Sequence, residues 1–298
     1  MRLASVLQGT NPLWGIVSDD QLIVLSDRWS DLQTALMETP DAIRNAGNES
    51  KRRLPLSAIT AWLPPVIAPK KILCVGLNYK AHAREAGGKP ASVHPSMFPR
   101  FIDSFVGHKQ PTISPSNSTA LDYEAELAVV IGRSARHVSV DQAPAYIGGY
   151  TCLSENSVRD FQKHNAQVTA GKNFEHSGAI GPWVTTVDEI ADVSAVRVVG
   201  RLNGEVVQSA LIEDLIFSIP AIISYISSFT TLSPGDIIAT GTPDGVGFLR
   251  NPPVYLRAGD IFETEISGVG TLTNPVENEA SVKTDCLHPV RTRMAGAV

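Results

Sequence analysis

A chain of 298 residues with 43% hydrophobic and 18% charged side chains can bury a substantial core and is too apolar for a disordered, coiled-coil or fibrous protein. Its formal charge of −5, with no dense Lys/Arg cluster, offers no footprint for nucleic acid or an anionic membrane surface. Apolar runs such as Leu127 to Ile131 and Ala221 to Ile226 fall far short of the roughly 20 residues that span a bilayer, and no secretory signal pattern opens the chain, so the expected setting is the cytoplasm.

In chain order, Leu3 to Leu7, Trp14 to Val17 and Leu22 to Leu25 are short apolar runs broken by Gly9, Asn11, Pro12 and Asp19-Asp20, which predicts strands and turns. One or two helices are expected within Asp27 to Gly47. Pro64, Pro65 and Pro69 then mark a boundary, so residues 1–65 read as a small N-terminal β-rich lobe and residues 70–298 as the main domain. Strands are expected there at Ile72 to Val75, Leu127 to Ile131, Val196 to Leu202, Ile237 to Ala239 and Ile261 to Ile266. Helices are expected at Lys80 to Ala86, Asp141 to Ala145, Ser157 to Lys163 and Leu215 to Phe229. The fold class is therefore α+β, mainly β. Cys74, Cys152 and Cys286 are odd in number and widely spaced, which fits neither a disulfide framework nor a zinc site. Cys74 and Cys152 read as small core residues, and Cys286 in the polar tail is unassigned.

The segment Leu121 to Gly132 carries the most chemistry. Residues two apart in a strand project from one face about 6.6 Å apart, so Glu124 and Glu126 point the same way at the mouth of an apolar run. Like charges there repel and lose hydration unless a cation compensates. Oxygen ligands suit Mg²⁺, Mn²⁺ or Ca²⁺; the alternative is a solvated strand end. Glu155 is the candidate third carboxylate, or else a helix N-terminal residue behind Ser154 as N-cap. On a helix, His82 and Glu85 share a face, so the carboxylate would orient the imidazole as a general base, or the two form a surface pair. Lys172, set among glycines and apolar residues, is either an oxyanion stabiliser or an exposed loop lysine. The Gly/Thr-rich loop after Ile237 to Ala239 is either a tight turn or a carboxylate cradle using backbone N–H groups and the Thr240 and Thr242 hydroxyls.

Taken in order, the stretches VGLNY..H..E from Val75, YEAELAVVIGR from Tyr123, GGYT…E.S.RD.Q from Gly148, GKNF from Gly171 followed by GPW, LNGE at Leu202 to Glu205, the apolar helix from Ile216 and PGDIIATGTP.GVG from Pro234 resemble the fumarylacetoacetate hydrolase family. The resemblance runs from about Lys70 to about Asn274. It implies a mixed β-sandwich or barrel-like β-roll, a Mg²⁺ or Mn²⁺ cofactor and a homodimer. It also implies Glu124, Glu126 and Glu155 as metal ligands, His82 and Glu85 as a water-activating pair on a lid, Lys172 as a catalytic cation, and Arg100, Arg159, Gln162 and Thr242 as substrate contacts. Glu155 stands where the family more often has Asp, and Arg100 where it often has Lys, which keeps the charge but alters the geometry. The expected activity is metal-dependent hydrolysis of a carbon-carbon bond in a 2,4-dioxo acid, giving a carboxylic acid and a 2-oxo acid such as pyruvate. The alternative is an oxaloacetate-type decarboxylase or a 2-oxo-alkenoate hydratase or isomerase. The partners expected are the small-molecule 2-oxo acid substrate and a second copy of the chain, with no nucleic acid and no membrane.

Overall fold

The structure is a computed structural model that describes residues 1–88 and 92–279; Cys286 lies outside them. Its strands are β1 (Arg2–Gln8), β2 (Asn11–Ser18), β3 (Gln21–Val24), β4 (Arg53–Pro55), β5 (Ala61–Trp62), β6 (Ile72–Gly76), β7 (Ser96–Arg100), β8 (Phe105–Val106), β9 (Thr112–Ser114), β10 (Leu121–Asp122) and β11 (Ala125–Ile131). They continue with β12 (Ile147–Ser154), β13 (Ser157–Val158), β14 (Gly178–Thr186), β15 (Arg197–Leu202), β16 (Glu205–Leu211), β17 (Ile237–Ala239), β18 (Ile261–Ile266) and β19 (Gly270–Asn278). The helices are α1 (Leu32–Ala35), α2 (Pro40–Glu49), α3 (Lys80–Glu85), α4 (Arg159–Gln162), α5 (Thr169–Lys172) and α6 (Ile219–Phe229).

Among the described residues, twelve strands form one sheet in the order β4-β3-β2-β1-β14-β12-β11-β17-β6-β7, with β5 on β1 and β8 on β14. A five-stranded sheet, β16-β15-β18-β19-β9, covers it. This is the expected mixed β-sandwich with few helices. The N-terminal strands do not form a sheet of their own. Arg2 and Leu3 pair with Thr185 and Val184, so the β-rich lobe continues the main sheet.

Strand β11 runs through the centre and is buried along its whole length. Leu127, Val129 and Ile131 join a core with Val198, Phe262, Leu272 and the α6 residues Ile222, Ile223 and Ile226. Ala128 and Val130, on the other face, join Leu3, Trp14, Ile43 and Ile180. Burial on both faces explains the unbroken apolar run, each such side chain contributing about 1.5–3 kcal/mol. By the same alternation Glu126 shares the face of Ala128 and Val130.

Three expected helices differ in extent. Helix α6 begins at Ile219 because Ser218 caps it, its side chain accepting the Ala221 N–H, with Pro220 in the first turn; Ile216 and Phe217 instead donate to Asn78. Ser157 and Val158 pair with β10, so only Arg159–Gln162 is helical. Residues 143–146 form a single 3₁₀ turn. No helix among the described residues is long and apolar enough to cross a membrane.

Candidate active site

Strand β11 and the turn before it deliver Glu126 and Glu124, and the end of β12 delivers Glu155. Antiparallel pairing sets Ala125 against Ser154, and Glu155 N–H donates to Glu124 O at 2.8 Å, so the three side chains converge. One carboxylate oxygen from each lies within 4.8 Å of the others, and all three residues are buried.

Three cations surround this cluster. Lys172 Nζ stands 2.6 Å from Glu155 Oε2 and 3.1 Å from Glu124 Oε2. Arg100 Nη1 reaches Glu155 Oε1 at 3.1 Å. Arg159 Nη2 reaches Glu124 Oε1 at 2.6 Å and Asp122 Oδ2 at 2.8 Å. Four carboxylates, Asp122 included, thus face three cations, and Glu126 is the one left without an ion pair among the described residues. Its Oε2 accepts the Gly241 N–H at 2.8 Å.

The protonation of the cluster follows from that imbalance. Burial opposes ionisation of Glu124, but attraction by Lys172 and Arg159 outweighs it and holds this carboxyl well below the usual range. Burial, then repulsion from Glu155 and Glu124, pushes Glu126 well above it. Glu155 is pushed up to about 7 by burial, with Lys172 pulling down and Glu124 pushing up. A divalent cation fits: the donors are all hard oxygens, and the buried cluster lacks positive charge at Glu126.

Above the carboxylates opens a cavity of about 320 Å³ lined by His82, Gln162, Lys172, Thr242, Arg159 and the three glutamates, with Leu77, Met97, Phe98, Val168 and Phe248 as apolar wall. His82 Nδ1 lies 3.0 Å from Glu85 Oε2, and Glu85 Oε1 accepts the Gly245 N–H at 3.0 Å. The pair is therefore tied to the loop after β17. With Nδ1–H donated to the carboxylate, the other ring nitrogen, Nε2, is the one free to accept a proton.

Of the ten residues singled out from the sequence, His82, Glu124, Glu126, Glu155, Arg159, Gln162, Lys172 and Thr242 line the cavity, Glu85 stands behind His82, and Arg100 stands behind Glu155. Arg100 was expected to contact substrate. It lies behind Glu155, its side chain wholly buried, because the end of β7 points into the core rather than the cavity. Two smaller expectations also change. Ser154 ends β12 and bonds Thr264 Oγ1 at 2.9 Å instead of capping a helix. The Gly/Thr loop spends its polar groups on the protein: Thr240 and Thr242 donate to Leu127 O and Ala125 O, and Gly241 N–H holds Glu126. Asp122 was missed. It accepts the N–H groups of Gly247 and Phe248 at 2.8 and 3.1 Å and the Arg159 Nε–H at 2.8 Å, fixing the loop and Arg159 together. Its parity with Glu124 and Glu126 was the available signal.

Residues 71–277 match the family Fumarylacetoacetate (FAA) hydrolase C-terminal. The mitochondrial oxaloacetate tautomerase FAHD2A of Homo sapiens is 40% identical over 225 residues, 75% of this chain and 71% of that protein. The crystal structure of 2-hydroxyhepta-2,4-diene-1,7-dioate isomerase from Mycobacterium marinum matches with a TM-score of 0.76 at 32% identity, covering 94% of this chain and 99% of that one. Maleylpyruvate hydrolase from Sphingobium sp. SYK-6, solved with manganese(II) and pyruvate, matches with a TM-score of 0.77 at 28% identity, covering 93% of this chain and 99% of that one. These relatives are enzymes of several reaction types, one of them holding a metal ion. The sequence motifs, the sandwich and the matched span agree: the chain belongs to the fumarylacetoacetate hydrolase family.

Proposed function

We propose that this chain is a divalent-metal-dependent enzyme that moves a proton at the carbon beside the keto group of a small 2-oxo acid, as in keto-enol tautomerisation of an oxaloacetate-type substrate. The observation that carries this reading is that His82, paired with Glu85 at 3.0 Å, lines the same cavity as Glu124, Glu126 and Glu155. A cation held by the three carboxylates would bind the substrate carboxylate and 2-oxo oxygen and offset the negative charge that develops there. His82 Nε2 takes the proton from C3, the C–H electrons form the C2–C3 π bond, the C2–O π electrons move onto the 2-oxo oxygen, and that oxygen takes a proton from the imidazolium or water to give the enol. Glu85 steadies the imidazolium, and the reverse sequence regenerates the ketone. Lys172 is bound to Glu124 and Glu155, which favours a proton-transfer role for the site over one that needs a free lysine at a distant oxyanion. The relative at 40% identity named an oxaloacetate tautomerase supports the same reading.

Hydrolysis of a 2,4-dioxo acid is the second reading, favoured by the maleylpyruvate hydrolase neighbour. There His82 would deprotonate water for attack on the C4 carbonyl; the C3–C4 bond breaks and C3 takes a proton to leave pyruvate. The test is one panel with Mn²⁺ or Mg²⁺: oxaloacetate and acylpyruvates, followed both by loss of enol absorbance and by pyruvate release. Enol loss from oxaloacetate without matching pyruvate, abolished by chelator and by Glu124→Ala, is the expected result. Pyruvate formed from an acylpyruvate faster than oxaloacetate tautomerises would favour hydrolysis, and turnover that survives chelation sinks both.

A further inference from the structure

We propose that Arg100 is a positioning residue for the metal centre: it holds Glu155 in the orientation a cation requires, without touching substrate. This rests on the reading of Glu155 as a metal ligand and goes beyond it. A guanidinium has five N–H donors in a rigid fork, and Arg100 meets five acceptors. Its Nε–H donates to Ser104 Oγ at 3.1 Å, Nη1 to Glu155 Oε1 at 3.1 Å and Asn156 O at 3.2 Å, and Nη2 to Ser177 Oγ at 3.0 Å and Ser104 O at 3.4 Å. Its Cζ lies over the Phe105 ring, 4.2 Å from the centroid. Four anchors outside the carboxylate cluster therefore fix the guanidinium before it meets Glu155.

The consequence falls on the ligand. A glutamate side chain has more rotatable bonds than an aspartate and, in a buried anionic cluster, would swing away from Glu124 and Glu126. Arg100 ties down Oε1, which leaves Oε2, held by the Lys172 ammonium at 2.6 Å, as the oxygen that faces the other two glutamates and would meet a cation. Lysine has three donors and no plane, so at this position it leaves at least two of the five acceptors unmet and does not stack on Phe105. Partners behind a metal ligand typically change affinity by about 10- to 100-fold when replaced.

The experiment titrates Mn²⁺ into the metal-stripped full chain, reading free Mn²⁺ by electron paramagnetic resonance, for wild type, Arg100→Lys, Ser177→Ala, Glu155→Gln and the Arg100→Lys/Glu155→Gln pair, with a thermal melt of each. Expected are a Kd raised about 10-fold or more by Arg100→Lys, a smaller rise in Ser177→Ala, which loses one anchor only, and no further loss when Arg100→Lys is added to Glu155→Gln. At saturating Mn²⁺, Arg100→Lys recovers most of its kcat with the substrate KM unchanged. If Arg100→Lys does not fold, Ser177→Ala alone decides. A wild-type Kd in the folded lysine variant, a raised substrate KM with normal Mn²⁺ affinity, or additive losses in the pair overturn the proposal. Failure of the metal-centre reading itself is separate, because then wild type binds no Mn²⁺ or Glu124→Gln binds it as wild type does.

Discussion

The backbone N–H of Gly241 donates to Glu126 Oε2 at 2.8 Å, from a residue whose φ is +107°. A Cβ added there would stand 2.8 Å from the Asn78 Cβ, and Asn78 ties the start of α3 to Phe217 and Thr240. Gly241→Ala is therefore expected to cost about 1–3 kcal/mol from backbone strain and to weaken cation binding by displacing the Gly241 N–H from Glu126. Denaturant unfolding and Mn²⁺ titration check this, and an alanine variant equal to wild type in both would count against it.

Proton release should accompany cation binding. In the metal-free protein Glu155 is pushed from its ordinary 4.5 up to about 7, and Glu126 moves the same way. A raised carboxyl stabilises the folded state fully below its unfolded value and loses that contribution as pH rises through the folded value. From Glu155 the metal-free protein should lose stability as pH rises from about 4.5 through about 7, with Glu126 acting in the same direction, and affinity for the cation, which needs the carboxylates ionised, should rise with pH. Calorimetric titration near pH 6 in buffers of different ionisation enthalpy measures the protons; a release of zero there contradicts the assignment.

Lys172→Met removes the ammonium shared by Glu124 and Glu155. Breaking a buried ion pair from one side costs about 3–5 kcal/mol, and a bound cation would restore part of it. The expected signature is a wider gap between the melting temperatures of metal-free and metal-loaded protein than wild type shows. A metal-free variant as stable as wild type would mean the ammonium is not compensating those carboxylates.

Glu85→Gln should leave Mn²⁺ affinity alone, since Glu85 contacts His82 and Gly245 rather than the carboxylate cluster. Loss of the base's orienting partner is expected to lower kcat by up to about 100-fold, the lower end of what a positioned base contributes. Steady-state kinetics at saturating metal, beside a metal titration, separates the two effects.

Much of this was readable in the chain. Ile237–Ala239 and Ile261–Ile266 were visible as strands because their apolar residues stand between clear turn signals. The glutamate pair announced itself because charge at the mouth of an apolar strand is costly. Strands β12 and β14 were not among the expected strands: Gly148, Gly149, Gly181 and Pro182 interrupt their apolar pattern, yet in the sheet Gly149 sits where a Cβ would be 2.4 Å from Thr185 O, so close strand packing is what selects glycine. The fate of Arg100 was equally illegible, because its five acceptors come from residues 104, 155, 156 and 177, which only the tertiary fold assembles.

Strand β14 is shared property: β1 takes one side of it, β12 the other, and β12 runs straight into Glu155. A shortened protein starting near residue 71, where the family match begins, would keep β8 on Gly178 and Ala179 but take β1 from Val184 and Thr185, leaving unpaired backbone groups beside the catalytic half. Such a fragment should clump by capturing any extended segment that reaches it, so the first seventy residues act as a cover without which the chemistry has no stable host.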